Sequence, residues 1–315
     1  MKIAMLDIAT LGEDIVLDPV RSIGQTVEYG TTAPEEVASR IGDAEVVVVN
    51  KLKLNESNLA EANNLRLICV TATGYDNIDL DYCKKRGIAL CNVPGYSTDS
   101  VAQLTLTMGL CLLNRLTSYR SFVHSGAYSA SGVANRLTPV YHELSSMTWG
   151  IVGGGAIGAR VAQLVSAFGA QVLVCRRKKD PLYEQVSLEE LCRRSNVISL
   201  HVPLTNETRG MIGQRELSLM KDGAVLINVA RGAVTDESAV AQALLDGRLG
   251  GLGVDVYSTE PFSSDHPFSA LLDRDDVCLT PHMAWGSYEA RCRCLQVIGK
   301  NVLSFYSGGM LHRIV

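Results

Sequence analysis

The stretch TWGIVGGGAIGARVAQLVSAFG, residues 148–169, decides how the rest of the chain is read. Its opening TWGIV has the apolar, β-branched character of a strand. Three glycines follow at the spacing GxGxxG, namely Gly153, Gly155 and Gly158, and AIGARVAQLVSAFG then continues with helical periodicity. In such a unit the first glycine permits a tight turn and the second lets a pyrophosphate approach the backbone. The third lets helix and strand pack closely. Ala156 and Ile157 stand at the joint where the first N–H groups of the helix face the phosphates. A bare GxGxxG is weak evidence, but between a strand and a helix it predicts a dinucleotide site.

The next strand of that unit ends in VCRRKKDP, residues 174–181. About eighteen residues after the glycines, a carboxylate usually accepts from the adenosine ribose hydroxyls. This chain has Arg176 there. A carboxylate would repel a ribose 2′-phosphate, whereas a guanidinium pairs with it, with Arg177 and the two lysines behind it as helpers. NADP(H) is therefore the expected cofactor, with NAD(H) as the alternative. A solvated basic loop is the bland explanation, and only the position of the run argues against it.

Outward from this unit, the 315 residues suffice for two domains. Apolar residues make up 47% and charged ones 20%, an ordinary globular composition. The net charge of −4 gives no reason to expect a nucleic-acid partner. The apolar runs are too short to span a bilayer, and Asp7 interrupts the N-terminus too early for a signal peptide. The nine cysteines include no CxxC pair, so reduced thiols in a cytoplasmic protein are expected, and no metal site.

Two series of short β-rich runs alternate with helical patterns. The first comprises 2–7, 27–29, 45–49, 67–71 and 88–91. The second comprises 149–152, 172–175, 197–200, 225–228, 252–256 and 277–279. This alternation predicts an α/β protein with two doubly wound parallel sheets. Residues 98–116, apolar nearly all round, predict a buried helix at the joint. Ser187 and Glu190 predict a capping box. The last helix, 287–306, has Leu295, Ile298, Val302 and Phe305 on one face and follows the completed second sheet. It is expected to return to the first domain, so that 1–97 and 287–315 form one domain and 98–286 the dinucleotide-binding domain.

Three later segments carry chemistry: INVARGAVTDESAV around Arg231, GVDVYSTEP with Asp255 and Glu260, and LTPHMAWGS around His282. Each begins at the C-terminal end of an expected parallel strand, the edge where open α/β sheets bind ligands. A carboxylate beside a histidine orients it, and an arginine can clamp a substrate carboxylate at two points. Any one of these residues alone is better explained structurally. Arg231 would bridge loops, Asp255 cap a turn, Glu260 lie exposed before Pro261, and His282 sit satisfied behind Pro281. Their joint order behind a dinucleotide fingerprint predicts hydride and proton transfer across a carbonyl.

At this point the chain resembles the D-isomer-specific 2-hydroxyacid dehydrogenase family over nearly its whole length. The resemblance runs through TATGYDNIDLDYCKKRGIAL (71–90), GYSTDSVAQLTL (95–106), TWGIVGGGAIG (148–158), HVPLTNETRGMI (201–212), NVARGAVTDESAV (228–240), VDVYSTEP (254–261) and TPHMAW (280–285). It implies a Rossmann domain and a discontinuous flavodoxin-like substrate domain with a cleft between them, and a homodimer formed through the nucleotide domain, by way of 116–147. It also implies an Arg231, Glu260 and His282 triad, with Asp255 on the nicotinamide carboxamide and Pro203 and Ala230 beside the ring. Thr73 and Gly74 would hold the substrate carboxylate. Arg176 departs from the aspartate of many members and puts their NAD preference in doubt.

The expected activity is reversible reduction of a small 2-oxo acid to a D-2-hydroxy acid. Trp285 in TPHMAW resembles the hydroxypyruvate and glyoxylate reductases of the family. An indole there would crowd out branched side chains, although it could equally serve as a packing hinge. Asn50 is a further candidate contact to a substrate hydroxyl. Two other readings compete: a dehydrogenase for a bulkier 2-oxo acid, and a dinucleotide-sensing corepressor on the same scaffold. Such corepressors commonly carry added terminal segments, and a start directly in a strand and a finish directly after the last helix make the enzyme the expected reading.

Overall fold

A computed structural model describes residues 1–179 and 182–315. The chain divides into two compact units, Met1–Ser97 with Trp285–Val315, and Thr98–Ala284.

The first unit is a five-stranded parallel sheet of β1 (Lys2–Met5), β2 (Gln25–Glu28), β3 (Val46–Val49), β4 (Leu67–Val70) and β5 (Ala89–Cys91), in the order β2-β1-β3-β4-β5. All four valines of β3 and all four residues of β4 are buried. That is the signature of a sheet covered on both faces, where alternation gives way to continuous apolar runs. Each fully buried valine contributes about 1.5–3 kcal/mol. One face packs under the long helix Tyr288–Tyr306, which buries Ala290, Cys294, Leu295, Ile298 and Val302 at helical spacing. The chain end covers the exposed edge of β5, with Ile314 N–H donating to the Leu90 carbonyl at 2.7 Å. The order reverses between β1 and β3, so the loops after these strands splay apart and leave a crevice.

The second unit is a seven-stranded parallel sheet, in the order β12-β11-β10-β9-β6-β7-β8. Its strands are β6 (Thr148–Val152), β7 (Gln171–Cys175), β8 (Glu184–Gln185), β9 (Val197–Leu200), β10 (Ala224–Asn228), β11 (Leu249–Val254) and β12 (Val277–Leu279). The chain is thus the two-sheet α/β protein that the alternation predicts. The two-residue β8 escapes sequence reading because Glu184 and Gln185 are exposed and carry no apolar signal.

Two local expectations are corrected. The helix at 98–116 stops at Leu113, because Arg115 turns left-handed with φ 53°. It buries a stripe through Val101, Thr105, Met108 and Leu112, while Asp99, Gln103 and Thr107 stay exposed. At the expected capping box, the Ser187 side chain accepts from Glu190 N–H at 3.1 Å, but the Glu190 carboxylate pairs with Arg194 at 2.7 Å. Half of the box is made, and the other half is exchanged for an ion pair one turn on.

Candidate active site

In the second unit, β6 leads into the glycine loop at the point where the strand order reverses, between β7 and β9. Gly153 has φ 101°, and a Cβ there would lie 2.5 Å from the His201 carbonyl oxygen. At Gly158 a Cβ would stand 1.9 Å from the Gly153 carbonyl oxygen. Side chains at these positions would wedge the loop off β9 and off the helix Ala156–Ala167. A Cβ on Gly155, by contrast, would meet nothing within 4 Å. The loop is tight beneath and open at the residue where a pyrophosphate approaches, so these residues fit a dinucleotide.

Arg176 follows β7. A Cβ on Gly154 would lie 2.5 Å from its Cδ and 2.7 Å from its Nε, so the arginine stem lies directly against the glycine loop. Its carbonyl accepts from the Gln185 side chain at 2.6 Å. Arg177 points into solvent, 4.0 Å from the equally exposed Glu207. Pro203 lies in the loop after β9, where the Thr208 hydroxyl donates to its carbonyl at 2.6 Å.

Behind β11 and β12 the geometry tightens. His282 has a left-handed backbone, φ 53°, which is unfavourable for a residue with a Cβ. Asp255, only 1% exposed, holds that turn. Its Oδ1 accepts from the Thr280 hydroxyl at 2.5 Å and from Met283 N–H at 2.9 Å, and its Oδ2 accepts from Ala284 N–H at 2.9 Å. Burial pushes the Asp255 carboxyl above its ordinary range, and these three hydrogen bonds oppose the shift. A carboxylate has about four acceptor positions, and these bonds use three of them. The turn presents the His282 ring to Glu260, with Nδ1 and Oε2 2.6 Å apart. The other Glu260 oxygen accepts from Tyr257 N–H at 3.0 Å. A histidine engaged at Nδ1 by a carboxylate has Nε2 as its proton-transfer atom.

Arg231 follows β10. The Asn228 side chain donates to the Arg231 carbonyl at 2.9 Å and accepts from Ala230 N–H at 3.0 Å, fixing the bend that carries both residues. A guanidinium N–H of Arg231 donates to the Ala230 carbonyl at 2.8 Å.

In the first unit, Thr73 and Gly74 lie in the loop after β4. The Thr73 hydroxyl donates to the Val93 carbonyl at 2.9 Å, and the Asn92 side chain donates to the Thr73 carbonyl at 2.7 Å. Asn50 is 6% exposed, and its amide donates to the Thr10 hydroxyl at 2.9 Å. Sequence reading missed what holds this loop, which is Asp7. Its carboxylate accepts from Asn50 N–H at 2.8 Å and from Lys51 N–H at 2.7 Å. Burial lifts the Asp7 carboxyl above its ordinary range, against the pull of the Lys51, Asn50 and Leu52 amides. The available signal was an acid directly after the apolar run of β1. The Trp285 and Tyr96 rings pack in a T-shaped arrangement, with centroids 6.4 Å apart and planes inclined at 61°.

Residues 106–284 match the family model for the D-isomer specific 2-hydroxyacid dehydrogenase NAD binding domain. The chain belongs to this family. It is 33% identical over 317 residues to a hydroxypyruvate reductase of Blautia hydrogenotrophica, with 98% of each protein covered. It is 38% identical over 273 residues to a glyoxylate reductase of Thermococcus litoralis, covering 84% of this chain and 81% of that protein. Among solved structures, the D-lactate dehydrogenase of Aquifex aeolicus complexed with NAD and lactic acid superposes with a TM-score of 0.83. That structure is 33% identical and covers 98% of this chain and 96% of its own. All nine cysteines of this family member are free thiols. Among its described residues, no helix is long and apolar enough to cross a membrane.

Proposed function

We propose that this chain reversibly reduces a small 2-oxo acid, hydroxypyruvate or glyoxylate, to the D-2-hydroxy acid, with NADP(H) preferred over NAD(H). The observation that carries the reading is the 2.6 Å contact between His282 and Glu260 on a turn clamped by Asp255. A bound nicotinamide would supply or accept the hydride. His282 gives the carbonyl oxygen its proton, worth about 10²–10⁴-fold for a positioned acid. Glu260 keeps the imidazole oriented. Arg231, with the backbone amides at Thr73 and Gly74, binds the substrate carboxylate. Each charge-assisted hydrogen bond contributes roughly 1.5–3 kcal/mol, which favours 2-oxo acids over plain ketones.

Unit 98–284 is the dinucleotide-binding part in this reading, with Pro203, Ala230 and Asp255 on the nicotinamide side. The other unit serves the substrate. The names of the relatives support the small oxo acids, and Trp285 and Asn50 are the contacts assigned to the distal end of the substrate. Arg176 lying against the glycine loop supports the phosphorylated ribose, with Arg177 beside it. Exposed apolar side chains on one segment, Leu116, Val123, Leu137 and Val140, support a homodimer through that surface. Free thiols agree with a cytoplasmic location.

The test compares hydroxypyruvate, glyoxylate, pyruvate, 2-oxoisocaproate and phenylpyruvate by kcat/KM, each with NADPH and NADH. Preference for either of the last two oxo acids overturns the substrate assignment. A tenfold preference for NADH overturns the cofactor assignment.

A further inference from the structure

Glu237 and His266 have no role in the chemistry above, yet both are nearly buried, with side chains 8% and 7% exposed. Glu237 opens the helix Glu237–Leu245. Its Oε1 accepts from Ser258 N–H at 2.9 Å, and its Oε2 accepts from the Ser258 hydroxyl. The same Oε2 lies 3.1 Å from His266 Nε2. His266 Nδ1 accepts from Phe268 N–H at 3.2 Å, so Nε2 carries the hydrogen that points to Glu237. Phe268 is 1% exposed and anchored in the core of the second unit.

One carboxylate thus ties both ends of the 257–268 loop to a rigid helix, and Glu260 sits between the tied ends. The loop is also seated on the segment that carries Arg231. A Cβ on Gly232 would lie 2.0 Å from the Tyr257 carbonyl carbon and 2.1 Å from Ser258 N, so the two backbones touch. Tyr257, next to the tied Ser258, supplies the N–H that holds Glu260 Oε1 at 3.0 Å.

We propose that Glu237, assisted by His266, is a positioning residue: it holds Ser258 and Tyr257 so that Glu260 meets His282 at hydrogen-bond distance. The inference rests on the proposed role of Glu260 and His282. Glu237 has no bond to either residue in this structure and acts through the loop backbone. A group that only stabilised the fold would change the melting temperature without acting through Glu260.

The experiment is a double-mutant cycle on the full chain, with hydroxypyruvate and NADPH. Glu237→Gln is expected to lower kcat on the order of 10- to 100-fold, the usual loss when a catalytic group is misplaced by about 1 Å. The KM for hydroxypyruvate and the NADPH affinity, read by fluorescence, should stay near wild type. In a Glu260→Gln background the same substitution should cost nothing further, because the two residues act in series. Unchanged kcat in Glu237→Gln, or an equal fractional loss in both backgrounds, overturns the proposal. Should Glu237→Gln not fold, Ser258→Ala takes its place in the cycle. It keeps the backbone bond, loses the hydroxyl, and is read by the same outcomes.

A wild-type protein that reduces none of the oxo acids would sink the proposed function instead. The positioning claim is then read without turnover, from the Nδ1 proton resonance of His282 in ¹⁵N-histidine-labelled protein, assigned through His282→Gln. Loss of that resonance in Glu237→Gln supports the claim, and its persistence overturns it.

Discussion

Asp255 and His282 are linked through the backbone: the buried carboxylate accepts the N–H groups of Met283 and Ala284, the two residues that follow the left-handed histidine. The strain of φ 53° at His282 is offset by these bonds and by the one from Thr280. Removing the carboxylate should therefore act on the histidine through the turn that carries it. Asp255→Asn leaves a single acceptor oxygen for three donors, and each unsatisfied buried donor costs about 1–3 kcal/mol. The expected result is a lower denaturant midpoint together with a loss of turnover. An unchanged midpoint would show that the turn holds itself.

Removing the imidazole tests the chemistry directly. His282→Ala should lose on the order of 10²–10⁴-fold in kcat, while the affinity for NADPH, measured by fluorescence, stays within a few-fold of wild type. Near-normal kcat would assign the proton to another group.

Gly154 and Arg176 give a paired prediction on the cofactor. Arg176→Asp should shift the kcat/KM ratio towards NADH by at least tenfold, about 1.4 kcal/mol. Gly154→Val should shift it the same way without touching the charge, because the arginine stem occupies the space a side chain would take. If only the first variant changes the ratio, contact with the loop does not matter to the choice.

His201 predicts an acid limit to stability. Burial pushes its imidazole down to about 3, and its Nδ1 has no hydrogen-bond partner among the described residues. A base depressed in the folded state contributes stability that is complete above its unfolded value, about 6.5, and is lost as pH falls towards the folded value. Between pH 7.5 and pH 5 this group alone should remove on the order of 2 kcal/mol. Denaturant titrations of wild type and His201→Phe should diverge over that interval. Parallel curves would mean that His201 is solvated.

Much of the fold was legible because parallel strands buried on both faces announce themselves as apolar runs. Val46–Val49 and Val197–Leu200 are read from composition alone, and the glycine spacing places one loop by sterics. Short-range chemistry determined what the chain can offer: a tight turn at Gly153, a guanidinium at Arg176, a histidine behind Pro281. What each group does was decided elsewhere. Asp7, Asp255 and Glu237 are single acids with no local pattern, and their partners lie 43, 28 and 21 residues away at Asn50, Met283 and Ser258. The sequence determined which groups are present and on which strand ends they fall. Only the tertiary structure decided which buried carboxylate receives which backbone amides, because a desolvated charge must find its donors wherever packing brings them.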